Sequence, residues 1–183
     1  MAPGRGTVRL NWGCGPRPAP GWINSDILPG PGVDLACDIR DGLPLADGSC
    51  DYIASIHALQ DLPFVDLDRA VSELWRVLAR GGVLRLGLPD LDRAIAAYLR
   101  GDAAYFHVPD RDTRTVGGKL CVQSTWYGSV KTPFTFDFAR EILTRNGFRS
   151  VLRCTYRVTA SVHPDITSLD NRERESLFVE ATR

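Results

Sequence analysis

Little in this 183-residue sequence points to a metal site or a disulfide frame. It has three histidines and five cysteines, and Cys14, Cys37, Cys50, Cys121 and Cys154 are scattered with no Cys-x-x-Cys pair. An odd, dispersed set excludes a disulfide scaffold, and the missing ligand spacing argues against zinc. No apolar run approaches the ~20 residues of a membrane span, and Met1 to Thr7 lacks the apolar core of a secretory signal. A cytoplasmic protein with no membrane partner is the expectation. Neither charge sign is in excess, since 22 Lys and Arg face 22 Asp and Glu. No global field draws in phosphate backbones, so nucleic acid is a disfavoured partner.

A balanced composition is present instead, 44% hydrophobic and 24% charged, as in an ordinary soluble globular protein. One domain over residues 1–183 is expected, since the chain is too short to divide comfortably into two. Thr7 to Trp12 reads as a strand running into Gly13-Cys14-Gly15, followed by a break with Pro16, Pro18, Pro20 and Gly21. Trp22–Ile27, Val33–Cys37 and Asp51–Ile56 are further short, apolar strands. Leu67 to Leu78 has helical spacing at Ala70, Val71, Leu74, Val77 and Leu78, closed by Gly81-Gly82 before the strand VLRLGLP.

Asp90 to Leu99 is again helical, whereas Gly101 to Pro133 shows no clean period and reads as a functional loop. Thr135 caps a helix to about Arg145, Phe148–Val158 alternates as a strand, and Ser176–Ala181 supplies the last one. Strands alternating with helices, closed by a late strand pair, predict an α/β fold. Its sheet is mostly parallel, with helices on both faces and an antiparallel strand near one edge.

In such sheets the ligand lies beyond the carboxyl ends of the strands. Gly13-Cys14-Gly15 follows the first strand, where small residues let the backbone approach a ligand; a plain tight turn is the alternative. Asp26 ends the second strand, placed to accept hydrogen bonds from two ribose hydroxyls or simply to form a turn. Asp38 ends the third, placed to accept from an adenine amino group beside Ile39, or to shape a turn with Asp41.

With these signals in this order, the sequence resembles the class I S-adenosylmethionine-dependent methyltransferases. LNWGCG resembles their glycine-rich first motif, NSDI their ribose acid, CDI their adenine contact and SCDYIASIHALQDL their fourth motif. ELWRVLARGGVLRLGLPDL is similar to their fifth-strand region, so the likeness covers residues 8 to 92. The tail SLDNRERESLFVEA is similar to that of small bacterial methyltransferases of the type 11 kind.

The resemblance implies a Rossmann-like, seven-stranded sheet reduced at its N-terminus, with residues 7–92 binding the cofactor. It further implies a substrate or lid region over 93–134 and a closing helix and strand pair over 135–183. S-adenosylmethionine would lie along Asn11, Gly13, Cys14, Gly15, Asp26, Ile27, Asp38, Ile39, Ser55 and His57.

Two features depart from the family pattern. Where relatives often read HxLEH, His57 is followed by Gln60 and Asp61. The first crossover, Gly13 to Gly21 with its three prolines, holds no helix. The cofactor carboxylate is therefore expected on loop amides and Arg17. A nicotinamide site, the rival reading, wants a third glycine and an acid about 20 residues on, and Asp26 comes too soon.

Methyl transfer is an in-line displacement, so alignment supplies most of the catalysis and a base is added where the acceptor is a hydroxyl. His57 and Asp61 are the candidate catalytic residues, with structural roles as their alternatives. Asp90, Tyr98, Tyr105, His107, Trp126 and Tyr127 are candidates to bind the acceptor. A homodimer contact explains the same aromatics. The expected reaction is methylation of a small molecule, a sugar or secondary metabolite, at oxygen or nitrogen. A partner-dependent, inactive subunit is the alternative, ahead of a nucleic-acid or protein methyltransferase. Because the first strand starts by residue 7, the 93–134 region or another subunit is expected to close the site.

Overall fold

The computed structural model describes residues 6–183, so the first five residues of the stretch read above as free of a signal core lie outside the described residues. Its strands are β1 (Arg9–Trp12), β2 (Ile23–Asp26), β3 (Leu35–Ala36), β4 (Cys50–Ile56), β5 (Leu78–Pro89), β6 (Arg149–Cys154) and β7 (Ser176–Thr182). The α-helices are α1 (Leu67–Val77), α2 (Leu91–Leu99), α3 (Val116–Thr125) and α4 (Phe136–Arg145). All seven strands join one sheet in the order β3-β2-β1-β4-β5-β7-β6. β7 runs antiparallel to both of its neighbours, β5 and β6, and the other pairings are parallel. The order reverses between β1 and β4, where open α/β sheets hold their ligands.

The period-2 alternation of the strands sorts the sheet into two faces. Leu10, Ile53, Leu84 and Ala181 stand in one register row and are buried with Ala70, Val71, Leu74 and Val77 of α1 and Ile142 and Leu143 of α4. The next row, Asn24, Asn11, Ala54, Arg85 and Glu180, belongs to the other face. Loops and turns cover that side: Ala19 and Trp22 of the first crossover pack with Tyr52, Ala54, Val83 and Ile166.

The helix-free crossover is held by Asn24, whose side chain binds the Ala19 N–H at 2.8 Å and the Ala19 carbonyl at 3.1 Å. Farther along, Arg85 is fully buried, and its five N–H donors go to Asp170, Glu180 and the carbonyls of Thr155 and Val158. Satisfying every donor is what lets a charge sit there.

Two expectations change. Gly81-Gly82 lies inside β5, which begins at Leu78 directly after α1. Leu78 pairs with Cys50 and Val83 with Tyr52, so Ala79 to Gly82 bulge out opposite Asp51. A Cβ on Gly82 would come within 2.8 Å of the Ala79 and Asp51 carbonyl oxygens, which is why this bulge takes glycine. The stretch read as an aperiodic loop also contains α3, capped by Thr115, whose hydroxyl accepts from the Gly118 N–H at 3.0 Å. Val116 and Leu120 pack α3 against Ala94 and Ala97 of α2 and against Tyr105 and Phe106. The interrupting Gly117, Gly118 and Lys119 hide its period.

Candidate active site

Two cavities adjoin at the carboxyl ends of β1 and β4. The first, about 340 Å³, is lined by Trp12, Gly13 and Gly15 after β1, by Asp26 and Ile27 after β2, by Cys37 to Arg40 after β3, and by His57 to Pro63 in part. Asp26 is held from below: one carboxylate oxygen accepts from the Gly15 N–H at 2.8 Å and the other from the Leu28 N–H at 3.1 Å. A carboxylate offers about four lone-pair sites, so two are left for a diol. Ile27 presents an exposed apolar flank to this groove. Gly13 has φ +71°, and a Cβ there would lie 2.2 Å from that of Ala58.

The second cavity, about 250 Å³, lies under α2 and α3 and is lined by Pro89 to Leu91, Ala94, Tyr105, Gln123, Ser124, Trp126, Ser129, Val130, Pro133, Arg172 and Glu175. His57 and Asp61 line both cavities, and Gln60 the second. Together they form the boundary wall. His57 sits in the left-handed region, φ +59°, just past β4. Burial, with Arg172 nearby, pushes its imidazole down to about 3, so it is neutral through the physiological range. Its Nε2 lies 2.8 Å from the Ser176 hydroxyl, which is itself 2.8 Å from the Arg172 carbonyl. That carbonyl can only accept, so the serine hydrogen goes to it and Nε2 is the protonated nitrogen. Burial acts oppositely on Asp61, raising its carboxyl above the usual range.

Residues 26–86 match the family model described as a methyltransferase domain. Among solved structures, a SAM-dependent methyltransferase from Archaeoglobus fulgidus is similar over 97% of this chain and 87% of its own, at 12% identity and a TM-score of 0.60. A chain from the complex of the Haloferax volcanii Trm112 methyltransferase activator with a methyltransferase is similar over 100% of this chain and 84% of its own, at 12% identity and a TM-score of 0.56. A Bordetella parapertussis protein titled as a possible exported protein matches over 97% of this chain but only 62% of its own, at 15% identity and a TM-score of 0.56. No curated protein matches the sequence. The chain has the fold of the class I S-adenosylmethionine-dependent methyltransferases, and its residues 26–86 match a methyltransferase domain.

Several sequence-predicted positions fall elsewhere. The Gly13 and Cys14 N–H groups both go to the Ser25 carbonyl, and that of Gly15 goes to Asp26. With no helix after β1, these amides close the turn, so they are not available to anchor a carboxylate as expected. Arg17 does not line the groove either. Asn11 is buried with its amide donating to Asn24 at 3.0 Å, and Cys14 and Ser55 are buried outside both linings. Asp38 lines the groove, but Arg40 occupies its carboxylate through the backbone N–H, Nε and Nη2. That bidentate grip holds the Asp38 carboxyl below the usual range.

Asp90, Tyr105 and Trp126 line the second cavity, whereas Tyr98, His107 and Tyr127 do not. Tyr127 instead donates to Asp112 at 2.6 Å, and His107 faces Glu175 at 3.5 Å. Sequence reasoning missed Gln60, Gln123, Ser129, Arg172 and Glu175. Only Gln60 carried a signal, as the replacement for a motif glutamate; the rest arrive from α3, the loop after it and the segment before β7.

Proposed function

We propose that this methyltransferase carries a methyl group to an oxygen or nitrogen of a small molecule, a sugar or secondary metabolite. The observation that carries the reading is the pair of adjoining cavities whose common wall is His57 and Asp61. A two-substrate displacement needs donor and acceptor sites that meet at one point.

The groove fits S-adenosylmethionine in its chemistry. Asp26 keeps free lone pairs for the ribose diol, Ile27 and Ile39 flank a ring, and a Cβ on Gly15 would meet no protein atom within 4 Å. When bound, the cofactor supplies an electrophilic methyl group on a sulfonium. The second cavity shields and orients the acceptor through Tyr105, Trp126 and Val130. Neutral His57 serves as a hydrogen-bond acceptor, while Asp61, with its raised proton affinity, is the better placed base.

A partner-dependent subunit is the second reading, favoured by the glycine-loop amides being spent within the turn. Calorimetric titration of the purified protein with S-adenosylmethionine and S-adenosylhomocysteine, repeated on Asp26→Ala, tests both. Micromolar binding lost in the variant supports the first reading, and no binding to the wild type moves the choice to the second.

A further inference from the structure

Among the described residues, five buried side-chain polar atoms have no hydrogen-bond partner, and three of them belong to the lining of the second cavity: His57 Nδ1, Gln60 Oε1 and the Tyr105 hydroxyl. Native proteins leave few such atoms unpaired, because a buried polar atom without a partner has given up its hydration for nothing. Their concentration in one cavity is the mark of a binding site waiting for a polar ligand.

The polarity of these groups narrows the ligand. Nε2 of His57 holds the ring proton, so Nδ1 is a pure acceptor. The Gln60 amide nitrogen donates to Asp61 Oδ1 at 3.2 Å, which leaves Oε1 as a second acceptor. Asp61 is a third, acceptor-only when ionised. The boundary wall, where the methyl group would be delivered, is thus made of acceptors from one short stretch, residues 57–61.

Charge points the same way. Asp90 is paired with Arg153 at 2.6 Å and Arg93 at 3.2 Å, and Arg172 faces Glu175 at 3.8 Å. Among the charged residues of the lining, Asp61 is the one with no ion pair within 4 Å among the described residues. Trp126 adds an aromatic surface, which suits a cation.

We infer that the methyl acceptor is a primary amine that enters as its ammonium and donates to His57 Nδ1, Gln60 Oε1 and Asp61. A hydroxyl has one hydrogen to give and would leave acceptors unpaired; a primary ammonium has three. Carboxylates and phosphates bring no donors and are repelled by Asp61. For transfer, one ammonium proton passes to the Asp61 carboxylate, and the freed nitrogen lone pair forms the bond to the methyl carbon. The carbon–sulfur bond breaks with its electron pair going to sulfur, leaving S-adenosylhomocysteine. The inference rests on the methyltransferase reading for the transfer, but binding of the amine can be measured without it.

The test titrates the full chain, with and without saturating S-adenosylhomocysteine, against benzylamine, benzyl alcohol and benzoate, following affinity by calorimetry and the His57 ring nitrogens by 15N NMR. Benzylamine is expected to bind at least tenfold tighter than the other two and to shift Nδ1 more than Nε2. Asp61→Asn, which keeps the shape, is expected to remove that preference, and Trp126→Leu to weaken benzylamine two- to fivefold. Equal or tighter binding of benzyl alcohol or benzoate overturns the inference. So does an Asp61→Asn variant that loses S-adenosylhomocysteine but keeps the amine preference. Failure of S-adenosylhomocysteine to bind the wild type would instead strike the cofactor reading, leaving the amine preference to be read from the titrations made without it.

Discussion

His57 and Ser176 meet at 2.8 Å across the sheet, joining the end of β4 to the start of β7. Because the serine hydrogen is committed to the Arg172 carbonyl, the contact sets the imidazole tautomer as well as its orientation. Ser176→Ala should therefore lower kcat by about three- to tenfold, in line with loss of one orienting hydrogen bond. S-adenosylhomocysteine affinity should hold, and the 15N spectrum should show a mixture of tautomers. An unchanged spectrum would deny the serine this positioning role.

Burial of neutral His57 makes stability depend on pH. Its pKa falls from the ordinary 6.5 to about 3 on folding, so below pH 6.5 the unfolded chain binds the extra proton and stability drops as pH falls toward 3. Between pH 7 and pH 5 the loss should be on the order of 2 kcal/mol. Urea unfolding of wild type and His57→Phe at both pH values checks this, since the variant should show a flatter dependence by that amount.

Gly13 is bound to its residue type by conformation and by space. Gly13→Ala should destabilise the protein by about 1–3 kcal/mol and weaken S-adenosylmethionine, because φ is +71° and the new Cβ meets that of Ala58. Adding Ala58→Gly removes the collision alone, so thermal unfolding of the double variant should recover part of the loss. Full recovery would mean that the backbone conformation costs nothing.

Asp170 anchors the buried Arg85 through two bonds at 2.7 and 2.6 Å, and Arg172, Glu175 and Ser176 follow it in the chain. Asp170→Ala leaves a buried guanidinium half-paired and should cost about 3–5 kcal/mol. At temperatures where the variant stays folded, KM for the acceptor should rise more than KM for the cofactor, because the shifted segment lines only the second cavity.

Tyr98 and Tyr127 lie outside both linings, so Tyr98→Phe and Tyr127→Phe should leave kcat/KM within about twofold, the range of surface changes with no role in the site. A tenfold loss in either would show that the region closes further over the acceptor than the cavity walls indicate.

The sequence by itself determined the sheet and the order of its ligand-binding ends. Each strand of the first half announces itself by a short apolar run with a turn residue behind it, and Gly13, Asp26, Asp38 and His57 stand at strand ends because local chemistry puts them there. It also disclosed the missing first helix, since three prolines in nine residues cannot form one. Tertiary structure alone decided where the Gly13 and Cys14 amides go, that Arg40 occupies Asp38, and that β7 brings Ser176 to His57. Those are contacts between residues distant in sequence or choices among competing acceptors, and neither leaves a periodic trace. The second cavity was legible only in His57, Asp61, Asp90, Tyr105 and Trp126, for the same reason: its walls come from the loop after β4, the end of β5, α2, α3 with the turns beside them, and the segment before β7, and only packing makes them neighbours.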